Sequence, residues 1–85
     1  MISDAKKEVL DRLNKASGHL EGIVRMVQDG KPEVEVLRQI LAVHGALEKT
    51  TVMVMEGMLE DFMDAPKAKR AHLLAQIREG LRDLT

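Results

Sequence analysis

The chain has no cysteine, tryptophan or tyrosine, and only one phenylalanine and two prolines among its 85 residues. Without cysteine there is no disulfide, no thiolate metal ligand and no thiol redox chemistry, and nothing marks the redox compartment. Phe62 is the only aromatic side chain, which argues against aromatic stacking on single-stranded nucleic acid. No apolar run approaches the roughly 20 residues that a membrane span needs, and residues 1–10 are too polar for a secretory signal. The expected compartment is therefore the cytoplasm, with no membrane partner. Neither charge sign dominates: the net charge is -1, a balance that neither supplies an argument for a polyanion partner nor rules one out. The charges are unevenly spread, however. Residues 1–31 carry six basic and five acidic groups, residues 32–64 two and seven, and residues 65–85 five and two.

What the chain does have is helical periodicity. From Pro32 to Met63 no proline follows the first residue, so one uninterrupted helix of about 32 residues and about 48 Å is allowed. Its apolar residues form two seams, Leu37, Leu41, Met55, Met58 and Phe62 on one and Val36, Ile40, Val43, Leu47 and Val54 on the other. Two seams call for two partners. A helix of the same chain can supply one, and the all-round apolar run Val52 to Met55 suggests another subunit for the second.

Upstream, Val9, Leu13, Ala16, Leu20, Ile23 and Val27 recur at spacings of three and four behind Ser3, a plausible N-cap. Gly18 and Gly22 interrupt this helix, which is tolerable where another backbone packs closely. Lys6, Lys7, Arg12, Lys15, His19 and Arg25 occupy its other faces, and a solvated surface accounts for them on spacing alone. Between the two helices, Gly30 suits a left-handed C-cap and Pro32 the first turn of the next helix, so a short antiparallel hairpin is expected. Asp64 is a candidate N-cap for a third helix to about residue 82, with Ala71, Leu74, Ile77 and Leu81 on one face. The expected fold is a single all-α domain over residues 1–85, with helices at about 3–29, 32–63 and 66–82. A chain this short buries little surface alone, so oligomerisation is expected as well.

Chemistry-bearing constellations are scarce. No glycine-rich phosphate loop follows a strand, and the few hydroxyl residues carry no signature of an activated nucleophile, so no enzyme is expected. His19, His44 and His72 form no H-x-x-x-H pair, and each reads best as a surface or hydrogen-bonded helix position. Met26, Met53, Met55, Met58 and Met63 suggest a thioether site for a soft metal such as Cu(I). Met53 and Met55, two residues apart, point to different sides of a helix, and interface packing explains them better. No cofactor is called for.

More specific are the runs themselves: Arg12-Leu13, then GHLEGIVRM from Gly18 to Met26, then VLRQILAV from Val36 to Val43, then Ala46-Leu47-Glu48-Lys49. At these separations they resemble the copper-sensing CsoR and nickel/cobalt-sensing RcnR family of bacterial transcriptional repressors, over roughly residues 8–63. The resemblance implies a three-helix subunit whose first two helices pair with those of a second subunit in an antiparallel four-helix bundle, two such dimers forming a tetramer. It also implies double-stranded operator DNA as partner, bound without a helix-turn-helix by basic residues of helices one and two. The family's DNA-contacting arginine falls on Arg12 and its basic residue of helix two on Lys49, with Lys15, His19 and Arg25 as further candidates acting mainly on phosphates. Asn14, Glu21 and His44 stand where relatives commonly carry a basic residue, so the expected DNA face is thinner. The positions of the family's copper ligands are Glu33, Met58 and Phe62, which leave no thiolate and no imidazole and make a poor Cu(I) site. Two functional expectations follow: a repressor with an altered or absent metal-sensing site, or a helical oligomeric ligand-binding or interaction module that has lost specific DNA binding. A third, metal sensing through Glu33 with histidines or the N-terminal amine, also stands.

Overall fold

The computed structural model describes residues 3–84, which form three helices, α1 (Ser3–Gln28), α2 (Glu33–Asp64) and α3 (Lys67–Arg82), with no strand among them. Each end falls within one residue of the range expected from periodicity. The capping role expected of the Ser3 side chain, like the N-terminal amine, lies outside the described residues.

The first junction follows from Gly30. Its φ of 69° is the left-handed conformation that glycine adopts without a Cβ penalty. Lys31 N–H then donates to Met26 C=O at 3.0 Å and Gly30 N–H to Val27 C=O at 3.1 Å, the paired closure of a Schellman motif. Pro32 is the N-cap of α2 and not its first helical residue, and its carbonyl accepts from Glu35 and Val36. At the second junction the N-cap is Pro66, whose carbonyl accepts from Lys69, and not Asp64, which is the last residue of α2. Ala65 is held extended at ψ 147° because the residue before a proline is driven out of the helical region.

α1 and α2 run antiparallel, and α3 turns back to touch α2 alone. The buried positions recur every seven residues on both helices, Val9, Ala16 and Ile23 on α1 and Val43, Thr50 and Gly57 on α2. The apolar periodicity of α1 is thereby divided. Its other half, Leu13, Leu20 and Val27, remains exposed. On α2 the first seam ends with Leu37 and Leu41 exposed and Met55, Met58 and Phe62 half-buried, and the second with Val43 buried but Ile40 and Leu47 exposed. On α3, Leu73 and Ile77 are half-buried while Ala71, Leu74 and Leu81 of the expected face are exposed. No backbone approaches Gly18 or Gly22: a Cβ there would meet nothing within 4 Å. No large side chain among the described residues is completely buried.

The subunit is accordingly a thin plate of 56 × 28 × 14 Å. Its radius of gyration is 17.0 Å, against about 12 Å for a compact chain of this length. It exposes 6861 Å², where a compact monomer of 9.5 kDa exposes about 5,050 Å². Exposed large apolar side chains, Leu13, Leu20, Ile40 and Leu47 among them, contribute to that area.

Candidate nucleic-acid interface and sensor positions

Consecutive residues on a helix point about 100° apart, so Arg12 and Leu13 leave α1 toward opposite broad sides of the plate. On Arg12's side, Glu8, Asp11, Arg12, Lys15, Ala16 and His19 of α1 and Val43 and Ala46 of α2 enclose a groove of about 400 Å³. Three of the five residues expected to meet DNA therefore share one feature. Arg12 and Lys15 are exposed. Arg12 pairs with Glu8, one turn earlier at 3.7 Å, an exposed pair worth at most about 1 kcal/mol. The guanidinium thus keeps most of its donors for a phosphate.

His19 is different. It is half-buried, and its Nε2 lies 2.6 Å from Gln39 Oε1, a side-chain bond that joins α1 to α2. Lys49 is exposed and lies on a shallower surface with Gly45, Glu48 and Val52. It is three residues past Ala46, so it sits about 60° further round α2 and flanks the groove without lining it. Arg25 is exposed on the edge of α1 that points away from α2, nine residues from Ala16 and half a turn out of phase with it. Arg38 was not singled out by the motifs. It is exposed eleven residues before Lys49, three turns up nearly the same stripe of α2, a spacing that reveals it.

On Leu13's side a second groove of about 410 Å³ is lined by Leu13, Leu47, Val54, Met58, Ile77 and Leu81 among others, with no charged side chain. Its polar members, Thr50 and Thr51, already donate their hydroxyls to Ala46 and Leu47 carbonyls at 3.0 and 2.9 Å. The groove therefore offers an occupant no unsatisfied polar group. Met58 belongs to it. Its Cε lies 3.9 Å from where a Gly80 Cβ would stand, an ordinary van der Waals distance, so the side chain packs beside α3.

Glu33 opens α2, exposed beside Val27, Gly30, Lys31 and Ile40. Met58 and Phe62, both half-buried, stand at the other end of the same helix. Twenty-five residues of helix separate Glu33 from Met58 by about 38 Å, so within one subunit they never meet. A carboxylate, a thioether and a phenyl ring do not fit Cu(I), which takes soft thiolate or thioether ligands. Among the described residues, no three His, Asp or Glu side chains gather where they could hold a metal ion. His44 pairs with Glu48 at 2.9 Å on an exposed face, and His72 is exposed on α3. No helix among the described residues is long and apolar enough to cross a membrane.

Comparison with known proteins agrees with this arrangement. The family model described as metal-sensitive transcriptional repressor matches residues 5–84. The copper-sensing transcriptional repressor CsoR of Mycobacterium ulcerans is 36% identical over 64 residues, 75% of this chain and 55% of the relative. CsoR of Mycobacterium bovis (strain BCG) is 40% identical over 59 residues, 69% of this chain and 50% of the relative. An uncharacterised protein from the region 5′ of bioA in Serratia marcescens is 30% identical over 80 residues, 91% of this chain and 88% of the relative. The chain thus spans about half the length of the CsoR proteins it matches. No solved structure matches it significantly. With a match over nearly its whole length and helices placed as the motifs require, the chain belongs to the metal-sensitive transcriptional repressor family.

Proposed function

We propose that the protein is a cytoplasmic, DNA-binding repressor that works as a dimer or a dimer of dimers, and that its signal is not Cu(I) at the family's usual position. The observation that carries the DNA reading is the separation of the two broad sides of the α1–α2 pair. Arg12 and Lys15 stand exposed beside one groove, with Lys49 flanking it, while the exposed Leu13, Leu20, Ile40 and Leu47 lie on the other side. Burying the apolar side against a second copy offsets the large exposed area and leaves in solvent the charged side, where Glu8 and Asp11 stand beside Arg12 and Lys15. Repetition of that side across subunits would multiply a modest number of phosphate contacts, which act by releasing counterions from the duplex. Titration of labelled DNA from the protein's own upstream region tests this. Saturable binding that weakens with salt, and that Arg12→Ala and Lys49→Ala reduce, supports the reading; equal affinity for unrelated DNA contradicts a specific repressor.

The signal is the weaker part of the family pattern. Glu33, Met58 and Phe62 leave no thiolate or imidazole, so calorimetry with Cu(I) should give no binding tighter than micromolar, and a nanomolar isotherm contradicts the altered-site reading. The uncharged groove of about 410 Å³ favours a second reading, a helical module for an apolar ligand that has lost specific DNA binding. The same titration separates the two, because the module reading requires no preference for upstream DNA.

A further inference from the structure

Of the five basic residues on the DNA-binding reading, four are exposed and one is not. Arg12, Lys15, Arg25 and Lys49 present their side chains to solvent, whereas His19 is half-buried and its Nε2 is 2.6 Å from Gln39 Oε1, twenty residues away. With Gln39 Oε1 as the acceptor Nε2 carries the proton of this bond, and in either tautomer this ring nitrogen is committed to α2. The bond lies where the helix pair has little else to hold its register. The neighbouring contact is Ala16 against Val43, and the buried apolar set of the whole described chain is Val9, Ala16, Ile23 and Val43. Small side chains allow two helices to slide, and a directional bond does not.

The position of the bond matters more than its strength. His19 lines the same groove as Arg12 and Lys15, and Gln39 is next in sequence to Arg38 on α2, the helix that also carries Lys49. A tie between these two residues therefore fixes how far the cations of α1 stand from those of α2. Phosphates have a set spacing along a duplex, so the separation of the cations decides how many are engaged at once. We infer that His19 is a positioning residue of the DNA-binding face, acting through Gln39 to set the α1–α2 spacing, and not itself a phosphate contact. This rests on the DNA-binding reading given above.

The test is a double-mutant cycle on the intact protein, read by titration of the labelled upstream DNA, with helicity and assembly state checked for each variant. His19→Ala and Gln39→Ala should each weaken binding about five-fold, the range of one hydrogen bond, and the double variant should be no weaker than either alone. His19→Gln, whose amide also donates to Gln39, should recover most of the affinity. Nitrogen NMR of the imidazole, in the DNA-free protein, should show the Nε2–H tautomer in the wild type and its loss of preference in Gln39→Ala. Wild-type affinity in Gln39→Ala beside a weakened His19→Ala would overturn the role, as would additive losses or no recovery by His19→Gln. If the wild type binds no DNA saturably, the DNA-binding reading falls and this role falls with it; wild-type binding with an indifferent Gln39→Ala removes this role alone.

Discussion

The two grooves on either side of the α1–α2 pair are almost equal in size, about 410 and about 400 Å³, and opposite in chemistry. One has no charged side chain; the other is lined by Glu8, Asp11, Arg12, Lys15 and His19. The same two helices build both, and a step of one residue from Arg12 to Leu13 changes sides. Volume therefore says nothing about what each side receives. The apolar side favours a surface from which water is removed, and the charged side one where water and ions stay. On the proposed reading, changing Arg12 should weaken DNA binding with assembly intact, whereas changing Leu13 should remove assembly first.

The largest effect is expected from Leu13→Asp. A carboxylate on the apolar side has no partner there, and covering it by a second copy costs about 3 kcal/mol or more per subunit. Sedimentation should show dissociation of the wild-type oligomer, with loss of DNA binding as a consequence. Retention of the oligomer would break the division into an assembly side and a DNA side. Next is Arg12→Ala, which should leave assembly and melting temperature intact, weaken DNA binding about ten-fold and reduce the salt slope by about one for each phosphate that is no longer neutralised. A changed oligomeric state would blur the comparison from the other direction.

Smaller effects sharpen it. Gly30→Ala places a Cβ in a left-handed conformation at φ 69°, with no steric neighbour to add to the strain. It should lower stability by about 1 kcal/mol in thermal unfolding and weaken both activities only as the folded fraction falls. Thr51→Val should change stability by less than about 0.5 kcal/mol. Its hydroxyl only supplements a helix carbonyl, that of Leu47, and the valine leaves the groove apolar.

Most of the fold could be read from periodicity and punctuation. Gly30 and Pro32 announced the first junction and the hairpin, and the two apolar seams of α2 announced a second partner. What periodicity alone did not give was the split of α1, because Val9, Ala16 and Ile23 and Leu13, Leu20 and Val27 are equally well spaced. Only the position of α2 decides which set is buried. The start of α3 was expected within one residue of where it lies, but its cap was assigned to Asp64 because that side chain suits a cap, whereas the rigid φ of Pro66 and the extended Ala65 set the boundary. Gly18 and Gly22 suggested a close neighbour that the single subunit does not supply.

Of the candidate interface, charge and motif located Arg12 and Lys15, and the structure adds that they share a groove. The bond of His19 to Gln39 was not legible from either residue's local pattern, since it depends on the register of two helices. The antiparallel pairing implied by Gly30, once drawn out, does bring the two to the same level. Glu33, Met58 and Phe62 could be compared with the copper-ligand positions from the sequence. That Met58 instead fills space beside Gly80 required α3 to be in place.

Binding of the protein's own upstream DNA by the charged side of the helix pair is tested by a fluorescence titration of that duplex beside an unrelated duplex at two salt concentrations. Binding should be saturable and tighter for the upstream duplex, fall steeply between about 50 and 200 mM salt, and be weakened about ten-fold by Arg12→Ala. Equal affinity for both duplexes, or an Arg12→Ala variant that binds as well as the wild type, would contradict it.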